Sequence, residues 1–402
     1  GFIMQEYLIK EEAPSHAFEF RGDGGSYFLI CLVNSLLVLV TLGIYLPWAL
    51  MKCRRYIYSN MTLNGQPFSW KVTGGDVFLS WFMLLVIYIA GMTLISMEYF
   101  VIGAALLVAL ILAIPVLVMK NLQYQAVKTS LNSIRFGFRF SALKAFWNIL
   151  CLPILLLMAL GVVIFCLLQV CPTESPGEVI FTVIVLGLTG LAGVGVVSGV
   201  TYSRLMRMVG DGGRFGVHTF SVQINVWHCI KSAILAMAAL LPFLAVVGFI
   251  AIALFKSIYE LDVTGMAEEE IEALILIEYQ RQIVISQIIY YLGIAISMSY
   301  LIVAFRNHFL NNLQLADGHI RFRSTLTFHG MVYRLGGLYV ISAITGGLAY
   351  PLLRMWLITW LAKNTYVMGD LDTLPLADSD ERVDNGLVSR LSRGVMPTLN
   401  FM

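Results

Sequence analysis

Asn132-Ser133-Ile134-Arg135-Phe136-Gly137-Phe138-Arg139-Phe140 is the stretch from which the fold can be read. A dipeptide that tolerates positive φ is followed by strict alternation with phenylalanine at every second position, the pattern of a tight turn leading into a strand. The same order recurs in three other places, at Asn64-Gly65 before Phe68, Asp211-Gly212 before Phe215, and Asp317-Gly318 before Phe322. Each predicts a hairpin followed by a strand, entered from a helix end bearing basic or aromatic side chains. Four matched loops read as an internal repeat rather than as unrelated linkers.

What lies between these loops is apolar. The chain has 402 residues, 59% of them hydrophobic and 12% charged, roughly half the ~25% charge of a soluble domain. Eight segments are long and apolar enough to cross a bilayer: Tyr27–Met51, Val77–Met97, Tyr99–Met119, Phe146–Val170, Val179–Tyr202, Ile230–Phe255, Ile283–Phe305 and Leu335–Leu361. The four turn-bearing loops hold 17 of the 26 basic residues, whereas the alternate connections are short or, at Lys256–Arg281, acidic. The positive-inside rule places the basic loops in the cytoplasm. A net charge of +2 gives no ground for a nucleic-acid partner. The six cysteines lie in or beside apolar runs without ligand spacing, so neither a disulfide framework nor a metal site is expected.

The ends of the chain repeat each other. A shift of 304 residues places Phe18 on Phe322, Thr41 on Thr345, Gly43 on Gly347, Pro47 on Pro351 and Gly65 on Gly369, so both ends carry strand, apolar run, Thr-x-Gly-x-x-x-Pro and amphipathic helix. A shift of 50 places Phe18 and Arg21 on Phe68 and Lys71. If those strands share one side of the membrane, Tyr27–Met51 must return to the side it left. Its 25 residues are too few for two crossings of about 20 each. A re-entrant hairpin broken near Gly43 and Pro47 is the preferred reading, with both termini cytoplasmic; a kinked single span is the alternative.

Phe18-Glu19-Phe20-Arg21-Gly22, Thr41-Leu42-Gly43-Ile44-Tyr45-Leu46-Pro47-Trp48, Arg54-Arg55-Tyr56, Leu63-Asn64-Gly65 and Ile344-Thr345-Gly346-Gly347-Leu348-Ala349-Tyr350-Pro351 together resemble the YjgN family of bacterial inner-membrane proteins over nearly the whole chain. The resemblance implies a multi-pass protein of the Gram-negative inner membrane. It implies no substrate, cofactor or catalytic residue.

Candidate sites follow from polar groups placed where lipid makes them costly. Asn34 and Thr41 fall near one helix face, and with Gly43, Pro47, Thr345, Gly347 and Pro351 they are candidates to line a polar cavity at the two broken segments. The plain alternative is an interhelical hydrogen bond and a satisfied kink. Arg54, Arg55 and Tyr56 are candidates for an anionic lipid headgroup at the cytoplasmic leaflet; ordinary topogenic charge with an aromatic belt is the plainer explanation. The histidines lack metal-site spacing, and no nucleotide loop or nucleophile elbow occurs. An enzyme is not expected, nor any cofactor or metal.

The resulting expectation is an all-α membrane bundle of about eight transmembrane segments with short β-hairpin elements on the cytoplasmic side and internal repeats. It divides into a polar N-terminal segment with a short strand (1–26), a polytopic membrane domain of repeated units (27–361) and a polar tail (362–402). The expected function is transporter- or channel-like around a polar cavity. The alternative is a lipid-interacting or membrane-shaping structural protein, with membrane lipids, including anionic phospholipid, as partners and the oligomeric state open.

Overall fold

The computed structural model describes residues 14–260, 265, 267–379 and 382–395. Of the segments named above, the start of the polar N-terminal stretch, part of the acidic connection and parts of the tail lie outside the described residues. The chain runs strand, helix pair, strand five times. The first unit is β1 (Ser15–Phe20), α1 (Gly24–Val40), α2 (Leu46–Asn60) and β2 (Met61–Leu63). The second is β3 (Gln66–Trp70), α3 (Gly74–Ser96), α4 (Phe100–Val127) and β4 (Thr129–Leu131). The third is β5 (Ile134–Phe138), α5 (Ala142–Val170), α6 (Pro176–Gly212) and β6 (Gly213–Phe215). The fourth is β7 (His218–Val222), α7 (Val226–Tyr259), a short α8 (Glu268–Glu278), α9 (Gln280–Asn311) and β8 (Leu313–Leu315). The fifth is β9 (Ile320–Ser324), α10 (Phe328–Ile344), α11 (Tyr350–Lys363) and β10 (Thr365–Met368).

The strands are more than the isolated hairpins expected. All ten close into one antiparallel barrel, in the order β1-β10-β9-β8-β7-β6-β5-β4-β3-β2. Turn chemistry predicts only the pairs β2–β3, β4–β5, β6–β7 and β8–β9; the remaining edges are satisfied by strands on either side of a helix pair. Closure removes every free edge, which explains how strands of three to six residues persist. The register is the same in each unit. Phe18, Phe68, Phe136, Phe220 and Phe322 stand opposite Leu63, Leu131, Phe215, Leu315 and Val367. Just beyond the odd strand, Arg21, Lys71, Arg139, Gln223 and Thr325 donate their backbone N–H to the carbonyls of Asn60, Lys128, Gly212, Asn312 and Asn364 at 2.9–3.3 Å.

That register corrects one turn. Asp211-Gly212 is the end of α6, and the hairpin turns at Gly216, whose φ is +58°. Phe220, not Phe215, is therefore the equivalent of Phe68. The long helix continues through the Asp-Gly pair because Asp211 Oδ1 is occupied by the Val222 amide at 3.0 Å instead of its own turn.

The count of eight crossing segments is also corrected. Six helices, α3, α4, α5, α6, α7 and α9, are long and apolar enough to cross a membrane. Tyr27–Met51 and Leu335–Leu361 are each broken into two helices. Because β1 pairs with β2, and β9 with β10, α1–α2 and α10–α11 return to the side they left, as the re-entrant reading requires. With 17 residues α1 is about 25 Å long, short of the ~30 Å hydrocarbon core. The bends are built alike. Thr41 and Thr345 cap α1 and α10, and the amides of Gly43 and Gly347, at φ +90° and +92°, reach back to the carbonyls of Val38 and Ser342 at 2.8 and 2.7 Å. This is a helix C-cap with a left-handed residue, where glycine adopts the required φ without a Cβ clash. Pro47 and Pro351 then start the second helices, at positions that need no N–H donor.

The helices form a ring in chain order on one end of the barrel, with α11 packed on α1 to close it. At the other end, Leu371 and Leu374 cover the apolar barrel core. The chain then crosses the hairpin tips, where Pro375 O accepts from His218 Nε2 at 2.9 Å and Asp378 accepts from the Arg135 amide at 3.1 Å. It ends with α12 (Leu387–Ser392) lodged against α3 and α4. There the buried Arg393 pairs with Asp76 at 3.1 Å and lies over the Tyr124 ring, and Asn121 donates to Ser392 O at 2.9 Å.

Candidate functional site

Side chains alternate along a strand, so the face that carries the five phenylalanines points into the barrel. Phe18, Phe68 and Phe136 stack in sequence with ring centroids 6.1 and 6.2 Å apart, and Phe220 lies 6.0 Å from Phe322. These rings and their cross-strand partners do not fill the lumen. They surround a cavity of about 370 Å³ that extends toward the helix ring, within the range of about 300–1,000 Å³ of small-molecule sites. Its walls are almost wholly apolar.

The polar exceptions include Arg214 in β6, whose Nη1 donates to the carbonyls of Asp211 and Gly213 at 2.9 and 2.8 Å, and two arginines at the helix end. Arg54 on α2 and Arg306 on α9 both line the lumen, and each lies nine residues before the inward leucine of its unit, Leu63 or Leu315. The repeated register therefore brings two guanidinium groups to the same level of the barrel. Arg54 is only 5% exposed; its guanidinium lies over the rings of Tyr58 and Trp70, and its Nη2 donates to Tyr58 Oη at 3.4 Å. Arg306 donates from Nη2 to Thr365 Oγ1 at 3.1 Å, while its Nε and Nη1 are buried without a hydrogen-bond partner. No carboxylate pairs with Arg306 among the described residues. Burying guanidinium nitrogens without acceptors is costly, so the lumen is an apolar chamber with uncompensated positive charge at one end. Gln125 also lines it, held by its own Nε2 donating to Asn121 Oδ1 at 2.8 Å.

The residues singled out from the sequence fall in three places. Asn34 is buried between α1 and α2, donating to Ala49 O at 3.3 Å and to Cys53 Sγ at 3.5 Å. Thr41 and Thr345 each donate to a carbonyl four residues back, Leu37 or Ile341, and accept from the amide four residues on, at Tyr45 or Ala349. With Gly43, Pro47, Gly347 and Pro351 they build the two helix bends, and neither these six nor Asn34 line the barrel cavity. The tips are apolar, with Leu42 93% exposed. Arg54, Arg55 and Tyr56 diverge: Arg54 turns into the lumen, Arg55 donates to Val72 O at 2.8 Å, and Tyr56 Oη donates to Asp23 O at 3.1 Å. Sequence reasoning missed Arg306. Counting back from the inward leucines, Leu63 and Leu315, aligns it with Arg54, whereas counting from Asn64 and Asp317 misses by one residue. All six cysteines are free, and no group of three metal-ligating side chains occurs among the described residues.

A family model described as a bacterial protein of unknown function, DUF898, matches residues 15–389. The chain is 47% identical to inner membrane protein YjgN of Escherichia coli, strains O157:H7 and K12, and 45% identical to that of Salmonella typhimurium, in each case over 99% of this chain and all of the relative. No solved structure matches it.

Proposed function

The chain belongs to the YjgN (DUF898) family of bacterial multi-pass inner-membrane proteins, and from that premise we propose that it handles an anionic amphiphile of the lipid class, held in the lumen of a barrel that faces the cytoplasm. We read the five strand–helix pair–strand units as one repeated module whose two end copies insert into the adjoining leaflet without crossing it.

The observation that carries this reading is the pairing of an apolar chamber with the buried, partly unpartnered guanidinium of Arg306. An acyl chain matches the phenylalanine and leucine walls through burial of apolar surface, and a carboxylate or phosphate matches Arg306 and Arg54 by charge-assisted hydrogen bonds. The basic loops support a cytoplasmic orientation of the barrel. The apolar bends at Leu42 and Leu348, both exposed, support insertion into lipid. A transporter of hydrated solutes would need polar groups along its path, and the lumen walls favour the lipid reading over that one.

The test is displacement of a fluorescent long-chain carboxylate from the purified full-length protein. Arg306→Gln is expected to weaken saturable binding by about tenfold, the loss of one charge-assisted hydrogen bond. Ala126→Phe, which places a ring in the lumen wall, is expected to shorten the longest chain accepted. Unchanged affinity in both variants, or binding that never saturates, would overturn the proposal.

A further inference from the structure

A second cavity, of about 730 Å³, lies outside the lumen where the start of α5 parts from the end of α6. Four cations line it, Arg139, Lys144, Arg204 and Arg207, against one carboxylate, Asp211. That carboxylate is already engaged by the Val222 amide, and Arg207 donates to Ile224 O at 2.7 Å. The side chains of Lys144 and Arg204 are exposed and make no hydrogen bond or ion pair among the described residues.

Charge alone would describe any topogenic loop. Here a second feature points to a ligand. Asn148 lines the same cavity, is 8% exposed, and its Oδ1 is buried without a partner, while its Nδ2 has only the Met208 sulfur at 4.0 Å. It sits in the π-helical turn Trp147–Cys151 inside α5. Such single π turns recur at functional sites because they displace one residue from the regular helical face. A buried amide oxygen with no donor calls for a hydroxyl or N–H from outside the protein.

The position decides what brings that donor. α5 begins its membrane-spanning run at Ala142, and Leu143 and Trp147 beside the cavity are exposed, Trp147 by 45%. Apolar and indole side chains at the foot of a spanning helix mark the headgroup level of a bilayer. We propose that this cavity binds the phosphate of a hydroxyl-bearing anionic phospholipid from the barrel-side leaflet, with Lys144 and Arg204 on the phosphate and Asn148 Oδ1 accepting from a glycerol hydroxyl. The proposal is independent of the lumen reading, since none of these three residues lines the lumen.

The experiment is native mass spectrometry of the full-length protein offered phosphatidylglycerol, phosphatidylethanolamine, phosphatidylcholine and phosphatidic acid with matched chains. Phosphatidylglycerol is expected to be retained over phosphatidylcholine by about thirtyfold, the effect of two basic residues near the surface. K144Q/R204Q removes that preference, K144R keeps it, and both leave long-chain carboxylate binding in the lumen unchanged. N148L removes the advantage of phosphatidylglycerol over phosphatidic acid, which lacks the headgroup hydroxyls, while the advantage over phosphatidylcholine persists. Equal retention of all four lipids, or a preference that survives K144Q/R204Q, overturns the proposal. Displacement of phosphatidylglycerol by free glycerol 3-phosphate overturns the membrane source and assigns the site to a soluble anion.

Discussion

The end units and the middle units enter the same barrel through the same register, yet they meet the membrane differently. In α3–α4, α5–α6 and α7–α9, apolar helices of 23 to 37 residues reach across. In α1–α2 and α10–α11 a threonine cap, a left-handed glycine and a proline turn the chain back after 17 residues. Helix length before the turn is thus set by one bend motif, while the barrel pairs the two ends of each unit on one side. The two bends differ in one detail: the residue after the cap is Leu42 at φ +55° in the first and Gly346 at φ +65° in the second. A leucine in that conformation is strained by about 1 kcal/mol or more, and it presents an apolar side chain at the tip.

The sharpest way to break this contrast is accessibility. In a cysteine-free background, Glu174→Cys in the α5–α6 turn is expected to react with a membrane-impermeant maleimide from outside the cytoplasmic membrane, and Leu348→Cys at the α10–α11 bend is expected to react from neither side. Labelling of Leu348→Cys from the outside would make the end units full crossings. Next in size is the brace that the tail places on a middle unit. Arg393→Ala strips the partner from Asp76 and the cation from the Tyr124 ring. It is expected to lower stability by about 2 kcal/mol, less than the 3–5 kcal/mol of a fully buried pair because Asp76 is partly exposed. The readout is the thermal midpoint of the purified protein. A smaller loss, about 1–2 kcal/mol each, is expected for Gly43→Ala and Gly347→Ala, where the left-handed φ rather than any clash is the obstacle. If the middle units unfold first, these two variants leave the first thermal transition in place while Arg393→Ala shifts it.

The smallest effect is that of pH on the tail. Backbone hydrogen bonds from Arg135 hold the Asp378 carboxyl below its ordinary value, and those from Gly386, with Lys120, do the same for Asp384. A depressed carboxylate contributes stability that is present above its unfolded pKa and is lost as pH falls through the folded one. Protection from hydrogen exchange at residues 375–379 and 382–394, taken relative to the intrinsic rate at each pH, is therefore expected to be unchanged from neutral pH down to about the ordinary carboxylate range, and to fall only below it.

Much of this contrast was legible in the sequence. The Thr-x-Gly-x-x-x-Pro pairing and the 25-residue length of the first apolar run exposed the topological conflict, and the six long runs matched the six long helices. Barrel closure was not legible, because it depends on pairs such as Ser15 with Met368 that no local pattern encodes. Asp211-Gly212 misled because a turn dipeptide at the end of a long helix has a second use. Arg54 read as a surface cation because its neighbours Arg55 and Tyr56 are near the surface; only the barrel register turns it inward. Asn148 gave no signal at all, since the π turn that positions it is a property of packing.

The seam where β1 meets β10 has a consequence for how the molecule is made. β1 finds β2 within its own unit soon after both leave the ribosome, but its other edge waits until nearly the whole chain has been translated. Until then a growing arc of paired strands hangs from the helices with two exposed margins, that of β1 and that of the newest strand, open to the wrong neighbour. Locking of the ring by the last strand is the moment at which that hazard ends, and a chaperone that shields either margin would act only during this interval.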